Sequence, residues 1–284
     1  METSSLCSRL SEIALEKLEQ LNEEQIIALT DAALRERYAR IDALCGSLAL
    51  DERGWARTDS GPLYWGQNFT RTENPHYIEQ GVPFKDRFPA KSYFEPLFGA
   101  LIRERRLFIC KTREMMASWA IMVYCTHKAQ WHSAEVIVQT ENEEKAKNLL
   151  KYAQILYENQ DTPLKALHPL KSSPSQLSIE WATGGRIFGI PAGESKIRMW
   201  HPAIYVQDEA AFLPEGQVCY DAAHPVATQI VAVSSAASGW FAEECQAPPE
   251  LEETPVQRLL KAQLGKAPYP YPIDRRDFDP QGAG

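Results

Sequence analysis

From Tyr93 onward the sequence alternates helical stretches with short apolar runs at 107–110, 135–139, 186–190, 203–207 and 229–233. Runs of four or five mostly apolar residues, lacking the polar alternation of a half-exposed sheet, describe strands covered on both faces. Strands of that kind separated by helices predict an α/β fold: a mainly parallel sheet with helices on both faces. A chain of 284 residues is long enough for one such domain with an accessory segment.

The segments around this core read differently. Leu6, Leu10, Ile13, Leu18 and Leu21 fall at helical spacing, and a second helix is expected from Asn22 through Ile26, Leu29, Leu34, Ile41 and Leu44, ended by Gly46. Residues 1–53 are therefore expected to form an α-hairpin. Residues 54–89, rich in Trp, Tyr, Pro and Gly, show no sustained period and read as an irregular connection on a surface. They open a domain expected to span 54–245. The remainder, 246–284, is punctuated by proline and reads as a linker or docking tail with at most a short helix near 256–264.

Composition excludes several functions. The net charge of -8, from 30 Lys and Arg against 38 Asp and Glu, argues against a surface that is basic throughout, though not against a local basic patch. No run reaches the roughly 18–20 apolar residues of a membrane span, so no membrane partner is expected. The six cysteines form no CxxC pair and the six histidines no HxH or HxxxH spacing, which disfavours a zinc site or a disulfide framework. The cysteines are expected to be reduced and mostly buried.

The chemistry concentrates in two places. In HPAIYVQDEAAF, residues 201–212, an apolar strand ends in Asp208 and Glu209. Two acids at the carboxyl edge of a parallel sheet suit a metal ligand and a group that polarises water; the same residues also suit a solvated acidic turn. In LFICKTREMMASWAIM, residues 107–122, a strand passes through a polar turn into a helix, with Lys111, Arg113 and Ser118 where backbone N–H groups and the helix dipole favour phosphate. The GxxxxGK[ST] pattern is not met: Met116 and Ala117 stand where its second glycine and lysine would be.

KTREMMASW, residues 111–119, resembles the deviant Walker A motifs of the large terminase subunits of tailed bacteriophages, in which the lysine stands at the start of the loop. The resemblance implies a P-loop NTPase-like (ASCE/RecA-like) fold and a nucleotide site formed by Lys111, Thr112, Arg113, Met116, Ala117, Ser118 and Trp119. Within it, Lys111 would contact the β- and γ-phosphates, Arg113 act as a phosphate sensor or in-cis arginine, and Ser118 and Asp208 hold Mg²⁺. Glu209 would be the catalytic base. FPAKSYFEPLF, residues 88–98, resembles the adenine-packing segment, with Tyr93 as the stacking candidate. The strand at 229–233 and the small residues after it, Ser234, Ser235 and Ala236, resemble the coupling motif. Each stretch also has a structural reading, as strand end or core. In 184–202, Lys196 and Arg198 fit either a trans-acting or DNA-contacting loop or a solvated turn.

The resemblance further implies ATP and Mg²⁺ as cofactors and translocation of double-stranded DNA into a procapsid. The expected partners are a portal protein and a small terminase subunit, the expected assembly a homo-oligomeric ring on the portal, and the expected place the host cytoplasm at that portal. The residues after 245 are too few for the nuclease that usually follows in this family, so DNA cutting is not expected of this chain. Two other readings stand beside the motor: a helicase-like DNA-dependent ATPase, and a catalytically weak or dead module for assembly and portal docking.

Overall fold

All five apolar runs are strands of one sheet. The computed structural model describes residues 35–36, 38–46, 49–73, 83–160, 162–193 and 197–246. Its main sheet has six strands: β3 (Arg106–Lys111), β4 (Glu135–Thr140), β5 (Ser178–Glu180), β6 (Arg186–Pro191), β7 (Ile204–Asp208) and β8 (Gln229–Ser235). Their spatial order is β3-β8-β7-β4-β6-β5. Every pairing is parallel except β5 with β6. A smaller antiparallel pair, β1 (Arg71–Glu73) with β2 (Lys85–Arg87), stands apart from it.

Period-two alternation sorts the strand residues onto two covered faces. Val136, Val138, Ile204, Val206, Val231 and Val233 join the large core beneath α1 (Gly61–Phe69), α2 (Phe94–Arg103), α3 (Ala117–His132) and α4 (Glu143–Glu158). Their neighbours Ile137, Tyr205, Ile230 and Ala232 point the other way, onto α6 (Gly216–Ala223) and α7 (Trp240–Gln246). A short helix, α5 (Thr162–Leu167), follows α4. The mainly parallel α/β fold with helices on both faces is the architecture expected from the alternation. Among the described residues no helix is long and apolar enough to cross a membrane.

Two expectations need correction. Residues 54–89 are not an irregular surface connection, because α1 lies within them and buries Leu63 and Trp65 completely. Pro62 sits in its first turn, where a missing N–H is harmless. Gly66 lets α1 approach α3 closely: a Cβ there would lie 2.7 Å from Cγ1 of Val123. A helix buried on most of its circumference has no polar face, so it shows no amphipathic period. Among the described residues the cysteines are also not mostly buried, since Cys110 and Cys245 are exposed and Cys45 is half-buried, against buried Cys125 and Cys219. Cys110 lies on β3, an edge strand of the sheet.

The first helix of the expected hairpin, the start of the second and the tail from 247 lie outside the described residues. The end of the second helix is described: residues 38–45 are helical and Gly46 follows at φ 74°. This helix is tied to the domain by Leu44, which is buried and whose carbonyl accepts from His127 Nε2 at 2.5 Å.

Candidate nucleotide site

Parallel strands bring their carboxyl ends to one edge, and here that edge gathers most of the chemistry-bearing residues. β8 lies between the lysine strand β3 and the acid strand β7, with Lys111 opposite Ser235 and Asp208 opposite Val233. Asp208 follows Ile204 and Val206 on the α3 face of β7, and its Oδ1 accepts from Ser118 Oγ at 3.3 Å. Glu209 leaves the strand in the left-handed region, φ 52°, and reaches back across β8. Its Oε1 lies 2.6 Å from Lys111 Nζ, and its Oε2 accepts from Ser235 N at 3.2 Å and Ser234 Oγ at 3.4 Å. Lys111 Nζ also donates to Ser235 Oγ at 3.4 Å. Two segments separated by about 90 residues thus close on one cluster, in which Ser234 and Ser235 hold the second acid.

The loop 112–116 adopts a strained conformation. Glu114 (φ 67°) and Met116 (φ 52°) lie in the left-handed region that costs a side-chain-bearing residue roughly 1 kcal/mol or more. Met116 is also the N-cap of α3 and makes no side-chain cap, so Ala117 and Ser118 open a 16-residue helix with uncapped N–H groups facing the edge. Thr112 and Arg113 are exposed, and Arg113 has no ion-pair partner among the described residues. The Trp119 ring is buried and stacks on Tyr152 at 3.9 Å. Tyr93, at the N-cap of α2, is half-buried and packs edge-on against Phe94, and its hydroxyl donates to the Met115 carbonyl at 3.1 Å.

Ala236 is exposed just past β8. Arg198 is exposed and lines a cavity of about 460 Å³ with Val218, Asp221 and Pro225. Lys196 lies outside the described residues. One residue not named from sequence adds to the site: Lys145, on the first turn of α4, is held by Glu141 and also feels the charges of Glu209 and Asp208. Asn142 caps that helix, accepting from Lys145 N at 3.0 Å. The cap was visible in the sequence, but the adjacency of β4 to β7 that brings Lys145 near the acids was not.

Charge is unbalanced here. Burial, together with the Glu209 carboxylate, pushes the Asp208 carboxyl up to about 6, against the pull of Lys111 and Ser118. Burial acts the same way on Glu209, but the hydrogen bond from Lys111 and the Ser235 amide outweigh it and hold that carboxyl below its ordinary value. Lys111 therefore neutralises Glu209 and leaves Asp208 short of positive charge. A partly buried carboxylate beside a hydroxyl, both hard oxygen donors, fits Mg²⁺ that completes its shell with phosphate and water.

No family model matches the chain, and no curated protein matches it. Among solved structures, the ATPase domain of the Thermus phage P74-26 large terminase shares 12% identity over 64% of this chain and 78% of that one, at a TM-score of 0.42. The large terminase of bacteriophage HK97 shares 9% identity over 61% of this chain and 36% of its own, at a TM-score of 0.46. The large terminase of a thermophilic bacteriophage, in complex with ADP, shares 13% over 45% and 32%, at a TM-score of 0.27. All three are large terminases of bacteriophages or the ATPase domain of one, and it is to these that the chain is similar.

Proposed function

We propose that this chain is an ATP-hydrolysing motor module of the viral DNA-packaging type, coupling hydrolysis to movement of double-stranded DNA. The observation that carries the reading is the convergence of Lys111 and Ser118, from one strand-loop-helix unit, on Asp208 and Glu209 across β8. Triphosphate oxygens at the N-terminus of α3 would compete with Glu209 for the Lys111 ammonium. Once Lys111 turns to phosphate, Glu209 keeps its burial and loses the cation that held it down, so it becomes a stronger base. It then takes a proton from the water attacking the γ-phosphorus, and ADP leaves with the broken phosphoanhydride oxygen. Asp208 and Ser118 are the residues that would hold Mg²⁺, which when bound neutralises developing charge on the phosphate oxygens.

Ser234 and Ser235 are proposed to transmit the state of Glu209 along β8, since both bond its carboxylate. Arg113, exposed on the loop, is the proposed cation for the γ-phosphate. Double-stranded DNA, a portal protein, a small terminase subunit and a ring of copies are the partners that the resemblance of KTREMMASW implies. The test is ATP hydrolysis with and without double-stranded DNA, for the parent and for Glu209→Gln. Loss in the variant and stimulation by DNA are expected. Hydrolysis that survives Glu209→Gln unchanged removes Glu209 from the role of base. A parent that hydrolyses nothing, even with portal present, leaves the docking-module reading, which the glycine-free strained loop favours.

A further inference from the structure

A loop that must turn left-handed twice without glycine needs something to hold it, and the structure shows one tether. The Tyr93 hydroxyl donates to the Met115 carbonyl at 3.1 Å. That carbonyl belongs to the peptide plane joining Met115 to Met116, whose orientation fixes the Met116 φ of 52°. Met116 in turn is the N-cap of α3, and its own carbonyl accepts the first helical bond, from Ala120 N at 2.9 Å. The tyrosine is itself anchored. Its ring packs edge-on against Phe94 at 4.7 Å, and Phe94 stacks on Phe88 at 4.6 Å, both fully or nearly fully buried.

We infer that Tyr93 is a positioning residue whose hydroxyl, through the Met115 carbonyl, holds the glycine-free phosphate loop in its binding shape. This rests on the reading of 111–118 as a phosphate loop. It gives the tyrosine a different task from stacking on a base: the hydroxyl matters, and its partner is the chain's own backbone. In a loop with glycine at position 116 the left-handed turn would cost little and no tether would be needed. Burial pushes the hydroxyl's pKa up, so it stays a donor throughout the neutral range.

The experiment uses the full chain and four proteins: the parent, Tyr93→Phe, Met116→Gly and the double variant. Two readouts are taken: ATPγS binding by calorimetry with Mg²⁺, and trypsin cleavage after Arg113 without nucleotide. Tyr93→Phe keeps the ring and is expected to weaken ATPγS binding roughly five- to tenfold, the loss of one hydrogen bond, and to speed cleavage several-fold. The double variant is expected to recover binding to within about twofold of the parent, because glycine takes the left-handed turn without help. Met116→Gly alone is the reference for the double variant, and loss of the hydroxyl should change binding between those two by less than about twofold. Binding and cleavage unchanged in Tyr93→Phe overturn the inference. So does a loss that Met116→Gly fails to restore, because the hydroxyl then acts on the nucleotide itself. If the parent binds no ATPγS, the nucleotide reading fails and the cleavage rates alone decide the tether.

Discussion

The carboxyl edge of the sheet and the helical layer beneath it handle polar groups in opposite ways. In the helical layer Trp65 Nε1 donates to Gln160 Oε1 at 3.3 Å, while Gln130 and Gln160 exchange amide bonds at 3.2 and 2.9 Å, all of them buried. These groups are neutral and largely satisfied within the chain. At the edge, by contrast, lie three of the five described non-glycine residues with positive φ, Glu114, Met116 and Glu209, and two adjacent carboxylates stand beside one ammonium, which pairs with only one of them. The contrast teaches where this fold stores strain. The helical layer buries neutral groups and leaves a few of them unpaired, at Thr126, His127 and Trp131, whereas the strain at the edge is charge and left-handed torsion, which the proposed ligands, phosphate and metal, would relieve. Substitutions in the two regions should therefore separate activity from stability.

The largest separation is expected for Glu209→Gln. Loss of a general base costs roughly 10²–10⁴-fold in turnover, so phosphate release should fall by at least about 100-fold while the melting temperature stays within a few degrees. A melting temperature that collapses with the activity would show that the Lys111–Glu209 pair is structural and would dissolve the contrast. Trp65→Ala is the converse. Emptying a fully buried indole costs about 3–5 kcal/mol, which at roughly 2–4 °C per kcal/mol should be plain in calorimetry. ATPγS affinity per folded molecule should not change. Weakened affinity in that variant would mean that the helical layer shapes the edge.

How much of this contrast was legible beforehand follows the same division. The strands were legible because a doubly covered strand needs an unbroken apolar run. Lys111, Asp208 and Glu209 stood out because they are charged residues just past such runs, and Ser118 because KTREMMASW resembles the terminase motif. α1 was not, because its burial on most sides removes the period that marks a helix. The tie of Glu209 to Lys111 was also hidden, since it depends on β8 intervening between β3 and β7 and on Glu209 turning left-handed. Spacing in sequence carries neither fact. Lys145 was missed for the same reason: its nearness to the acids is a matter of strand order.

A third test uses pH on the helical side. His127 is fully buried, its Nε2 is engaged by the Leu44 carbonyl, and its Nδ1 has no partner in the described structure. Burial, with nearby His132 and Lys128, presses its pKa down to about 3 from the usual 6.5. The unfolded chain therefore takes up a proton that the fold refuses, and stability is lost as pH falls below 6.5, at about 1.4 kcal/mol per unit. Between pH 6.5 and 4 the parent should lose roughly 3 kcal/mol through this group. His127→Gln, although less stable at neutral pH, should show a shallower acid slope in urea titrations. An unchanged slope would move the acid sensitivity elsewhere.

The smallest effect has the most telling sign. Asp208 is an acid whose folded value is raised, to about 6 from 3.8, so ionising it opposes folding. Its contribution runs opposite to that of His127: the fold is penalised above pH 6, and the penalty is relieved as pH falls from about 7 towards 4. Asp208→Asn removes the charge while keeping shape and an acceptor for Ser118. With chelator present and no nucleotide, the variant should be more stable than the parent by about 3 kcal/mol at pH 7.5, and the advantage should shrink by pH 4.5. Adding Mg²⁺ with ATPγS should stabilise the parent and leave the variant nearly unmoved. A site residue whose removal strengthens the fold is one retained for something other than folding. If Asp208→Asn instead lowers the melting temperature at pH 7.5, the carboxylate belongs with the satisfied groups of the helical layer and the edge is less strained than its geometry implies.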